Sequence, residues 1–217
     1  MTIANLAALP GDDDHNVQLA VLGLTVEQLD EARGRAQHDV DECTSLDPPG
    51  SRGQVRHMRT VRYLREVLIP HGWVPDDTGN VGAVVSPDGT IAIVVTTGDT
   101  GTGLLSYTPK TKYPKGAVTQ RRVRQNVQLN LFEDLTEEPL HDDLDEPSRT
   151  TWVLLQHPAG NAVRAELSCP SGVDVAGRIS EWSRRIMLPE LPLDTHETWI
   201  ADDDEGDDPV DVPVTPR

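Results

Sequence analysis

The sequence predicts an α+β domain: a small antiparallel sheet of two β-hairpins packed with about three helices, with flexible acidic termini. Three observations carry this. Two pairs of β-rich runs are each joined by turn-forming residues. Three other segments repeat apolar residues at helical spacing. Only 36% of the 217 residues are hydrophobic and 4% aromatic, which suits one modest core.

Taken in order, residues 1–16 end in GDDDHN and read as a flexible arm, with the domain expected over 17–190. The first helix is expected in LGLTVEQLDEARGRAQHDVDEC. Thr25 is its N-cap, Gln28 closes a capping box, and Leu24 and Leu29 form a hydrophobic staple. Pro48, Pro49 and Gly50 stop it. A second helix spans about Gly53 to Ile69, with Met58, Val61, Leu64 and Leu68 as its buried stripe. Arg52, Arg56, Arg59 and Arg62 fall roughly on its other side, and Pro70 and Gly72 end it. Val81–Ser86 and Thr90–Thr97 flank Pro87-Asp88-Gly89 as one hairpin. Thr151–His157 and Ala162–Ser168 flank PAGN as another. Residues 177–188, GRISEWSRRIML, predict a final helix with Ile179, Trp182 and Ile186 inward. Residues 191–217, rich in Pro and Asp, read as a disordered acidic tail.

Charge narrows the function classes. The 36 acidic and 19 basic residues leave a formal net charge of −17. Wrapping duplex DNA needs cations to neutralise phosphates, so this balance disfavours it. It suits a soluble protein, a partner with a basic surface, or a mimic of nucleic acid. Cys43 and Cys169 have no CxxC spacing and read as reduced thiols. No window approaches the ~18 apolar residues of a membrane helix, and a cytoplasmic protein without membrane partners is expected. No GxSxG, HExxH, paired Cys/His set or nucleotide fingerprint is present, and the seven histidines are scattered. The sequence therefore points away from an enzyme and implies no catalytic residue, cofactor or metal.

Between the hairpins lies a long, charge-polarised connection, at about 100–149, of a length that is usually functional or disordered. From Thr100 to Phe132 it has no acid, while Lys110, Lys112, Lys115, Arg121, Arg122 and Arg124 are basic. From Glu133 to Glu146 it has eight acids and no Lys or Arg. The only phenylalanine of the chain sits at the junction, in Gln128-Leu129-Asn130-Leu131-Phe132. This QLNLF resembles the short motif by which bacterial replication and repair proteins dock on the ring-shaped DNA polymerase sliding clamp. The resemblance covers five of 217 residues. It implies an extended segment in which Gln128 hydrogen-bonds at the edge of a groove and Leu129 packs beside it. Leu131 and Phe132 would fill the apolar pocket, with Asn130 at the variable position. Burying those last two side chains would supply roughly 3–6 kcal/mol before ordering costs, consistent with micromolar affinity. The same stretch also reads as a β-strand, because Val127, Leu129 and Leu131 alternate with polar residues.

Lesser features complete the reading. TTGDTGTG at 96–103 lacks the lysine of a phosphate loop and reads as a flexible hairpin exit. Arg56, Arg59 and Arg62 offer a possible nucleic-acid contact, or pair with the protein's own acids. The Asp-rich tail lacks the ligand pattern of an EF-hand. HGWVPDDTGNVGAVVSPDG at 71–89 and RAELSCPSGVDVAGRISEWSRRIMLP at 164–189 resemble uncharacterised proteins of actinobacteria and their phages or mobile elements. That resemblance implies no activity. Two function classes follow: a non-enzymatic accessory protein of the sliding clamp, or an acidic decoy for a basic host nucleic-acid-binding protein.

Overall fold

A computed structural model describes residues 14–133 and 149–193. Most of the expected arm, residues 134–146 of the acidic half of the connection and residues 194–217 of the expected tail lie outside the described residues, while Leu191 and Pro192, expected to open that tail, end the last strand instead. Helix α1 (Asp14–Val21) takes in the last three residues of the expected arm. Leu19, fully buried, gives it a core anchor. Helix α2 (Val26–Asp41) begins with the expected capping box: Gln28 N donates to Thr25 Oγ1 at 3.3 Å, and Thr25 N donates to Gln28 Oε1 at 2.9 Å. Leu24 and Leu29 are both buried in one cluster.

Helix α3 (Ser51–Leu68) follows the Pro-Pro-Gly break, and its Leu64 and Leu68 are buried as expected. Met58 is not: it is 58% exposed, while Thr60 is fully buried. A polar contact sets this facing, since Gln156 Nε2 donates to Thr60 Oγ1 at 3.0 Å. No apolar stripe could reveal it.

The sheet corrects the expected fold class. Among the described residues it has six strands in the order β1 (Val74–Asp76), β2 (Ala83–Val85), β3 (Ile91–Thr97), β4 (Thr150–Ala159), β5 (Ala162–Val173) and β6 (Ile179–Pro192). It is mixed, not a purely antiparallel pair of hairpins. Strands β2–β3 and β4–β5 are the two expected hairpins, but β3 and β4 run parallel from Ile91↔Thr150 to Thr97↔Gln156. A parallel pair needs a crossover, which helix α4 (Ala117–Glu133) supplies from inside the supposed connection. The fold is thus α+β with four helices among the described residues.

The expected last helix, 177–188, is instead strand β6, paired antiparallel with β5. Ile179, Ile186 and Leu188 are buried, but the β5–β6 ladder shifts register near Val163, Cys169, Pro170 and Gly172. Such irregularities break strict alternation, so inward residues fall at spacings that imitate a helix.

Strand alternation divides the core between the two faces. Ile93, Val95, Trp152 and Leu154 meet Leu19, Leu29, Leu64 and Leu68 of α1–α3. Val94, Val153 and Leu155 meet Val123 of α4 on the other face. The glycine-rich exit of β3 is firmly tied rather than loose. Thr102 is fully buried, Asp99 accepts from Gly101 N and Lys110 N at 3.0 Å, and Gly103 N donates to Glu166 Oε2 at 2.9 Å.

Candidate partner-docking site

The pentapeptide occupies the carboxyl end of α4, so its backbone is helical, neither the extended segment nor the strand expected. Among the described side chains of α4, Arg122, Val123 and Asn126 are buried. Asn126 is the anchor. Its Nδ2 donates to Thr151 O at 2.8 Å and Pro170 O at 3.1 Å, and its Oδ1 accepts from Thr151 N at 2.8 Å. Arg122 ties the same helix to the sheet edge through Asp76 at 3.5 Å. Arg149 reaches the same carboxylate at 3.0 Å. Burial pushes the Asp76 carboxyl up, but hydrogen bonds at Thr78 together with these two arginines outweigh it and hold the group below its ordinary value.

Two residues beyond Asn126 the pattern changes, for Gln128 is exposed. Nearer its start, α4 borders a cleft of about 300 Å³ with residues 171–174, lined on the helix side by Gln120, Val123, Arg124 and Val127. The helix is held by these polar anchors and by Val123, which packs into the core with Val94, Val153 and Leu155.

The last described turn of α4 has no basic residue and carries Glu133, a charge that opposes the helix dipole toward the carboxyl end.

The arginines of α3 are engaged within the chain. Arg56 is half-buried, donates to Gln37 Oε1 at 3.0 Å, and burial pushes its guanidinium down. Arg59 meets Asp39 at 2.9 Å and Arg62 meets Glu66 at 2.7 Å. The structure brings them onto one helix but supplies each with an internal partner.

Sequence reading missed a buried carboxylate, Glu166, because a glutamate in a strand gives no signal of its burial. It is fully buried and bound by Ser168 Oγ at 2.7 Å, Gly103 N at 2.9 Å, and Arg185 at 3.0 and 2.5 Å. Two oxygens with four donors leave little capacity for a ligand. The pair is a buckle that holds the chain after β3 against β5 and β6. Cys43 and Cys169 are both free thiols. Among the described residues no group of three or more His, Cys, Asp or Glu could hold a metal, and no helix is long and apolar enough to cross a membrane. Compared with known proteins, the chain matches no family model, no curated protein and no solved structure.

Proposed function

We propose that this chain is a non-enzymatic accessory protein that docks on the bacterial DNA sliding clamp through Gln128, Leu129, Leu131 and Phe132. The observation that carries the reading is the full QLNLF sequence, which begins at the exposed Gln128 of α4. Asn126 fixes the base of the segment to β4, and Gln128, its first residue, is exposed. On docking, the final turn and a half unwinds to the extended form and its apolar side chains enter the groove of the ring. Giving up that helix consumes part of the burial energy, so affinity is micromolar. The folded body remains on the ring and excludes other users of the same groove.

Titrating a purified bacterial sliding clamp with the intact chain, and with Gln128→Ala/Leu131→Ala/Phe132→Ala, tests this. The intact chain should bind with a micromolar Kd, and the triple variant should lose at least about tenfold, because the pocket-filling side chains are gone. Equal affinities would end the clamp reading. Binding to basic host proteins that survives the triple substitution and collapses with salt would favour the acidic decoy instead.

A further inference from the structure

A second surface stands apart from the pentapeptide. Between β3 and α4, residues 104–113 (LLSYTPKTKY) form a strap laid against the start of β6. Its backbone is held at nearly every other residue. Arg185 donates to Leu104 O at 3.2 Å and Tyr107 O at 2.6 Å, and Trp182 Nε1 donates to Pro109 O at 2.8 Å. Thr111 N donates to Ile179 O at 3.0 Å, and Lys112 N donates to Thr97 O at 2.9 Å. Pro109 and Thr111 point inward and are buried, whereas Thr108, Lys110 and Lys112 between and beside them are exposed.

The strap is thus fixed, yet it keeps large apolar side chains in water: Leu105 is 84% exposed, Tyr107 63% and Tyr113 56%. Fixing a loop costs conformational entropy, and these side chains recover only part of it by burial within the chain. They share the strap with cations. Lys112 Nζ lies 5.5 Å from the Tyr113 ring centre, and Lys110, on the same strap, makes a long 3.3 Å contact to Asp174. The strap lies within the acid-free stretch 100–132 of a chain whose net charge is −17.

Aromatic faces interleaved with cations fit a polyanion that offers flat rings to stack on. We propose that residues 105–113 are a contact surface for single-stranded nucleic acid, with Tyr107 and Tyr113 stacking on bases and Lys110 and Lys112 on phosphates. A duplex hides its base faces and spreads its phosphates over a wider surface than two lysines can serve. The acids of the rest of the chain repel that larger polyanion more strongly. The single strand is therefore the preferred form. This reading does not depend on clamp docking, because the strap and the pentapeptide share no residue.

The test is fluorescence anisotropy of a dye-labelled, mixed-sequence single-stranded DNA of about 20 nucleotides in about 50 mM salt. The intact chain should bind in the micromolar range, and an equal-length duplex more weakly. With only two phosphate-binding lysines, log affinity should fall against log salt with a slope near −1.4, about 0.7 per phosphate. Tyr107→Ala/Tyr113→Ala should weaken binding at least about tenfold without lowering thermal stability, since both rings are exposed. The Gln128→Ala/Leu131→Ala/Phe132→Ala variant should bind the oligonucleotide as the intact chain does. Absence of binding, equal affinity of the double tyrosine variant, preference for the duplex, or strap-dependent binding to anionic lipid vesicles in place of the oligonucleotide would overturn the proposal.

Discussion

Asn126 shows how much a single polar residue can organise. It lies on the helix that joins the parallel strands, is 1% exposed, and satisfies both backbone groups of Thr151 where β4 begins. Replacing it with alanine leaves a buried N–H and C=O without those partners, and each unsatisfied group costs about 1–3 kcal/mol. Asn126→Ala should therefore lower unfolding stability by about 2–4 kcal/mol in urea titration, well beyond the effect of a surface substitution. The same residue explains a limit of sequence reading. In RRVRQNVQLN the inward positions of α4 include Arg122 and Asn126, so polar residues occupy the face where an apolar stripe would announce a helix. Thr60 hides the facing of α3 in the same way. Where local chemistry is self-sufficient, as in the Thr25–Gln28 box, the sequence was readable residue by residue. The pentapeptide belongs to this local kind of signal: its letters are legible, but the helix that holds them is not.

Among the elements, α4 carries the central idea. Glu133, with no basic residue in the last described turn, opposes the helix dipole, and the docking proposal needs that turn to open. Reversing that charge makes a usable experiment. Glu133→Lys should raise helicity at this end and weaken clamp binding about two- to fivefold, the range that a helix-end charge of about 0.3–1 kcal/mol permits. Circular dichroism checks the first effect and clamp titration the second. Glu133→Gln should fall between the parent and the lysine variant. Strand β6 teaches the complementary lesson about elements. Ile179, Trp182 and Ile186 have helical spacing, yet the segment pairs with β5 as a strand, in a ladder whose register shifts disturb its alternation. Periodicity reads one segment alone, and β6 is decided by the partner it pairs with.

For the whole molecule, the two hairpins were visible from their turns, but their joining into one mixed sheet was not. Parallel pairing of β3 with β4 links residues more than fifty apart in sequence through α4, and no local pattern encodes that. The result is a sheet with α1–α3 on one face and α4 on the other. The acid-free strap and α4 follow one another along the chain, while much of the acid lies in 133–146 and in 202–208. Clamp docking at 128–132 and strand contact at 105–113 would together bring the two surfaces of a replication complex to one body. Hydrogen–deuterium exchange on a mixture of the chain and a sliding clamp tests the docking claim most directly, because it locates the contact on both partners at once. The expected result is slowed exchange at residues 128–132 and in the peptide-binding groove of the ring, with the backbone of β3–β6 unchanged. Protection elsewhere on the chain, with exchange at 128–132 unaltered, would contradict it.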